Sequence, residues 1–220
     1  QLTVACALRV DYDAPRRYKQ LRDLLGADRL TDIDRFLLDD ATYSNRLQND
    51  LRHPDRTVGE GDRFGYDYRT VRCEVAADGV VRYRSDRWTA AFGASVGRCV
   101  VRRRGFYEKE LFPGAGSYGG SSRLRFTPYA LRASAGYAFS SRSYLEISAS
   151  ASAAVPDVED LFLQPLYNNR TVDDPSLSRR YGAELGFVRT GGAFELRVTG
   201  YLAATRDEIR TTRFFDDLSY

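Results

Sequence analysis

The chain has 220 residues, 13% of them aromatic and 29% charged, with 18 Gly and a formal net charge of +3. That length suits one sizeable domain or two small ones, and no apolar run approaches the ~20 residues of a membrane helix, which excludes helical spans and leaves a β-barrel open. The basic residues are dispersed, which speaks against a nucleic-acid face, and Cys6, Cys73, Cys99 and the lone His53 lie too far apart for a zinc site.

Residues 2–11 alternate Leu2, Val4, Cys6, Leu8, Val10 against Thr3, Ala5, Ala7, Arg9, Asp11, the two-residue period of a strand. Pro15 stops it. Residues 14–62 change character. Tyr18, Leu21, Leu24 and Leu25, closed by Gly26, have helical spacing, and Thr31 reads as the N-cap of a second short helix through Ile33, Phe36 and Leu37. The rest of 45–60 is polar and rich in Asn, Asp, Pro and Gly. A connection this long predicts a functional loop, either a lid or a rigid ornament.

Residues 64–84 read as one long strand, with Val71, Cys73, Val75, Val81 and Tyr83 on one side and Arg72, Glu74, Asp78 and Arg82 on the other. Asp78 and Gly79 offer a hairpin turn, but the second arm would be too short for a membrane strand, so the turn is placed at 84–87. Residues 87–102 set Trp88, Ala90, Phe92, Ala94 and Val96 against Thr89, Ala91, Gly93, Ser95 and Gly97. An uncharged small-residue face does not suit ordinary exposure to water. A loop, 105–120, follows. Strands then alternate over 124–139, 145–153, 181–187 and 194–202, joined by tight turns at 140–142 and 190–192 and a long loop at 156–178.

This makes seven strands whose connections alternate strictly between short and long. Short turns at one end and long loops at the other are the plan of an outer-membrane barrel. The rings of Tyr83, Trp88, Tyr137, Phe139, Phe187 and Phe194 all flank the short turns, where an interfacial girdle belongs. Bacterial barrels have an even number of strands and an open edge is not viable in lipid, so further strands are expected outside this stretch. The absence of methionine and the opening in mid-pattern fit a piece of a longer protein. The fold expected is therefore all-β: an antiparallel transmembrane β-barrel segment, about seven strands of a larger barrel, with a long helical extracellular loop.

Several stretches resemble the barrel of TonB-dependent outer-membrane receptors, of the type that carries a carboxypeptidase-regulatory-like N-terminal domain. They are RYKQLRDLLG at 17–26, DIDRF at 32–36, LQNDL at 47–51, VGEGDRFGYDY at 58–68, SYL at 143–145, VPDVEDL at 155–161 and TGY at 199–201. The resemblance covers the middle of such a barrel, with the plug domain, TonB box and terminal strand absent. It implies localisation in the bacterial outer membrane and a receptor of about 22 strands. Its ligand is scarce and its import is driven through TonB by way of the plug. Outer-membrane lipid is the surrounding partner and a surface lipoprotein a further one. No cofactor, metal, nucleic acid or enzymatic step is implied.

The loop rings Tyr107, Phe112, Tyr118, Phe162 and Tyr167 are the candidate ligand contacts, because capture at the cell surface needs exposed aromatic groups; the alternative is that they pack the loops together. Arg132, Glu146, Glu184, Glu195 and Arg197 are expected to face the lumen and to form ion pairs between strands. The run Arg102, Arg103, Arg104 is expected outside, in reach of lipopolysaccharide phosphates. Two other readings compete. A soluble or surface all-β binding module explains the alternation without the girdle. A hydrolase has little support: Asp157, Glu159 and Asp160 sit on a loop without His, as solvated or calcium-contacting carboxylates do, and His53 alone cannot complete a Ser/His/Asp set.

Overall fold

The computed structural model describes residues 1–34 and 47–210. Seven long strands follow one another in a single antiparallel sheet: β1 (Leu2–Asp13), β5 (Arg63–Arg84), β6 (Trp88–Gly105), β9 (Tyr129–Ser140), β10 (Ser143–Ala154), β11 (Ser178–Thr190) and β12 (Glu195–Arg206). Each pairs with its neighbour in sequence order. Three short strands are attached: β2 (Arg16–Gln20) to β5, and β7 (Gly119–Gly120) and β8 (Leu124–Phe126) to β6. β3 (Leu30–Thr31) and β4 (Thr57–Val58) make a separate small ribbon. β1 and β12 are the sheet's two edges and do not pair with each other.

The expected single strand through Asp78 and Gly79 is found. Asp78 lies between Ala7 and Ser95, and Gly79 between Cys6 and Ala94. The tight turns are closed by backbone bonds, Ser85 N–H to Trp88 C=O at 2.8 Å and Gly191 N–H to Phe194 C=O at 2.6 Å. The expected strand 124–139 is instead two pieces. Pro128 has no N–H to donate, and the chain jogs there, with its carbonyl accepting from Gly97 N–H at 2.9 Å.

The long connection is not helical in its described part. Where a helix over 16–25 was expected, Arg16–Gln20 is a strand. The cause is the length of β5. Its pairing with β1 ends at Arg72↔Asp13, which leaves the backbone from Arg63 to Val71 open on that side, and β2 fills it in the register Arg16↔Arg69. The apolar stripe that suggested a helix does not share one core: Leu21 and Leu24 are half-buried, while Tyr18 and Leu25 are exposed, Leu25 with φ of 52°. Thr31 is paired in β3 and Ile33 bridges to Gln48, so no N-cap forms there; Phe36 and Leu37 lie outside the described residues.

The two faces of the sheet differ sharply. One carries Leu8, Val75, Phe92, Leu131, Ile147, Leu185 and Val198, exposed in a continuous band across all seven strands, Leu8 at 84% and Phe92 at 51%. The other carries the polar and small residues, and against its loop-side half forms the main hydrophobic core of the described residues. Cys99, Val101 and Phe126 pack there on Val155, Leu161 and Phe162 from the 155–177 connection. The apolar face is thus the exposed one, and the polar face is partly covered. Cys6, Cys73 and Cys99 are free thiols.

Candidate functional site

All three long connections leave from the same end of the sheet, and there they interlock around buried polar side chains. Arg103 lies on the polar face of β6 beside Val101, because odd positions of that strand share the side. It is 2% exposed. Its Nε donates to Pro165 C=O at 2.7 Å, and its Nη1 to Ser117 C=O at 3.0 Å and Asn169 Oδ1 at 2.5 Å. Burial lowers its pKa to about 10, still fully cationic at neutral pH. Asn169 completes the tie: its Nδ2 donates to Ala115 C=O at 2.9 Å, and its backbone N–H to Gly116 C=O at 2.7 Å. A planar five-donor group can hold several carbonyls of separate loops at once; an ammonium holds fewer.

A second tie uses Lys109, buried beside Asn49. Its Nζ donates to Asn49 Oδ1 at 2.7 Å and to Gly65 C=O, and it stands 5.6 Å from the Tyr167 ring. Burial pulls its pKa down to about 8. Asn49 Nδ2 in turn donates to Asp32 Oδ1 at 2.9 Å, which also accepts from Gly65 N–H at 2.8 Å. On the outer side, buried Asp67 accepts both nitrogens of the Arg16 fork, at 2.7 and 2.6 Å. Arg17 pairs with Glu159 at 2.6 Å, tying the first connection to the third. Gly105 sits where β6 meets its loop, and a Cβ there would lie 1.9 Å from Ser117 O, so no other residue fits without moving the loop.

Between these ties a cleft of ≈ 380 Å³ opens, lined by Lys19, Ile33, Asp34, Asn49, Tyr66 and Tyr167 among others. Leu30, Phe64 and Leu166 supply apolar wall, and Lys19, Asp34 and Asn49 polar groups.

The five candidate rings separate into two groups. Phe162 is fully buried in the core cluster, and Tyr107 is buried with its hydroxyl donating to Arg63 C=O at 3.0 Å and its ring under Arg56. These two pack the loops, so the expectation of exposed rings fails for them: the loops fold against one another and the polar face, and bury their large side chains there. Tyr118 is exposed, with the Arg52 guanidinium 4.5 Å above its ring. Phe112 is half-buried, and Tyr167 is half-buried on the wall of the cleft.

Arg132, Glu146, Glu184, Glu195 and Arg197 all lie on the polar face, as the register Gly93↔Arg132↔Ser150 and Glu184↔Tyr201 requires. Arg197 reaches over Gly186 to Glu146 at 3.5 Å, an ion pair two strands apart. Arg132, Glu184 and Glu195 form none with a described residue. A hollow of ≈ 270 Å³ runs along this face between Thr89, Ser134, Gly136, Glu146, Ser148, Glu184 and Gly186, its depth set by the two glycines. Among the described residues no group of His, Cys, Asp or Glu could hold a metal.

The residues that build the loop end, Arg103, Asn169, Lys109, Asn49, Asp32 and Asp67, were not expected to do so; Arg103 was expected outside with Arg102 and Arg104 and is instead buried against the loops. A signal existed for Arg103 alone, whose odd position places it with Cys99 and Val101. The others take their roles from contacts between segments far apart in the chain. Comparison of the chain with protein-family models, with curated proteins and with solved structures gave no match.

Proposed function

We propose that the chain is wall and extracellular mouth of an outer-membrane β-barrel receptor that takes up a scarce ligand with energy from TonB. One observation carries the reading: the exposed apolar band has the dimensions and edges of a bilayer contact. On six strands it spans nine residues, Leu2–Val10, Val75–Tyr83, Trp88–Val96, Tyr129–Tyr137, Leu145–Ala153 and Leu196–Ala204, and on β11 seven, Tyr181–Phe187. At ~3.3 Å per residue and a ~40° tilt, that gives about 20–25 Å of height, the apolar belt of such barrels. Rings close the band at both margins. At the short turns Trp88, Tyr137 and Phe139 stack, with centroids 4.7 and 5.1 Å apart. Toward the loops the same face ends in Tyr12, Tyr129 and Tyr181, a second girdle.

The polar face then lines an aqueous or plugged interior, and the interlocked loops with their cleft face the outside. Ligand capture falls to Tyr118, Phe112 and the Tyr167 wall of the cleft. The chemistry is binding and gating, with no bond made or broken. Trp88 is the sole tryptophan of these 220 residues. Folded with the rest of its barrel into vesicles with lipids brominated at shallow and deep positions, and with any tryptophan outside these residues replaced by Phe, the protein should lose most of its Trp88 fluorescence to the shallow quencher, a loss absent in Trp88→Phe. An unquenched Trp88 in folded protein would sink the membrane reading and leave a surface binding module.

A further inference from the structure

Beyond the loop-side girdle, the outward face turns from apolar to basic. On β6 the even positions continue as Arg98, Val100, Arg102 and Arg104, three of the four basic, while Arg103 turns inward to its carbonyl partners. Arg125 of β8 shares this face through its register with Val100, and Arg69 of β5 through its register with Arg104. None of these five forms an ion pair with a described residue. The pairing also sets Arg16, Arg69 and Arg104 side by side across three neighbouring strands. Like charges directly opposite one another destabilise a sheet. Arg16 is compensated by Asp67; Arg69 and Arg104 are not, and the Arg69 Nε–H is buried without an acceptor. Two guanidinium groups left facing each other call for anions from outside the protein.

Their spacing says which. Counted from Val96 at the edge of the band, Arg98 lies two residues on and Arg104 eight, or about 7 and about 26 Å along the strand. With strands tilted ~40° the two differ in height by roughly 15 Å. A phospholipid presents its phosphate in one plane and would meet only Arg98 and Arg125. We propose that this arginine ladder docks a phosphorylated glycolipid of the outer leaflet. Its acyl chains lie on the Phe92–Val96 part of the band, one phosphate sits on Arg98 and Arg125, and further phosphates, on sugars above, sit on Arg69, Arg102 and Arg104. Bidentate guanidinium–phosphate pairing supplies the contact. The inference rests on the membrane reading and adds to it a specific lipid.

The test uses the full chain folded in phosphatidylcholine vesicles, with binding of fluorescent glycolipid as readout. Four additives are compared: phosphatidylglycerol, bisphosphorylated lipid A, lipopolysaccharide with a phosphorylated core, and the same lipopolysaccharide after phosphatase treatment. Core-phosphorylated glycolipid should bind at least tenfold tighter than lipid A, and phosphatase should erase the difference without any change to the protein. Arg102→Gln with Arg104→Gln should lose that tenfold and keep lipid A binding; adding Arg98→Gln and Arg125→Gln should lose both. Equal binding of all four additives, or wild-type binding by the quadruple variant, overturns the proposal. Displacement by millimolar inorganic phosphate also overturns it, identifying a free-phosphate site. Trp88 quenching in the same vesicles keeps the two failures apart: quenched protein that ignores core phosphates loses the ladder and keeps the membrane, whereas unquenched protein loses both.

Discussion

Arg103 shows how much of the loop end depends on one side chain. Three buried charge-assisted hydrogen bonds join it to carbonyl groups of two connections. Removing it leaves those acceptors dry and unpaired, at a cost of about 3 kcal/mol. Arg103→Gln should lower the denaturant midpoint accordingly and make both loops sensitive to protease. Arg103→Lys should recover little, because an ammonium cannot span the three acceptors. Lys109 gives a pH signature. Its pKa is lowered to about 8 in the folded protein, against about 10.4 unfolded. Between those values the unfolded chain binds more protons, so stability should rise as pH climbs from 8 toward 10, by on the order of 1–3 kcal/mol, and the penalty is fully present below pH 8. Midpoints of wild type and Lys109→Met measured across that range should converge at the alkaline end; parallel curves would remove Lys109 as the cause.

At the scale of the strand, the alternation decides which substitutions matter. Phe92 faces outward at mid-band and Ser95 faces the polar side of the same strand. Phe92→Arg should cost about 2–4 kcal/mol in folding into vesicles, the price of a cation at the bilayer midplane, while Ser95→Arg should cost far less. Folding titrations in urea would read both, and equal costs would contradict a lipid-facing band. This two-residue period is also why the strands were legible: Val71 to Tyr83 alternates against Arg72 to Arg82 straight through Asp78 and Gly79, arm length decides against a hairpin there, and the tight turns fix register locally. Elements set by distant partners were not legible. Tyr18, Leu21 and Leu24 look helical from their spacing, but an open stretch of β5 more than forty residues away draws Arg16–Gln20 into the sheet. Phe162 and Tyr107 look like surface rings because nothing in their own segments reveals that the loops fold inward.

For the whole molecule, the one-sidedness of the connections makes orientation measurable. Ala115 is exposed in a long loop and Ser141 in a tight turn at the opposite end. On intact cells a membrane-impermeant maleimide should label Ala115→Cys and spare Ser141→Cys until the envelope is opened. Native Cys6 lies in the band and Cys99 is buried in the core, while Cys73 is half-buried just beyond the band's loop-side margin, so the variants are made with Cys73→Ser. Labelling of both sites on intact cells would contradict the orientation.

The ties among the long connections have a mechanical consequence. Arg103 and Asn169 hold the third connection to the second, Lys109 and Asn49 hold the second to the first, and Arg17 with Glu159 closes the ring from first to third. A closed ring of constraints has fewer independent motions than three separate flaps. Displacing one connection strains the other two, so the loop end moves as one unit instead of three. A ligand seated against Tyr167 would therefore shift the position of loops it never touches.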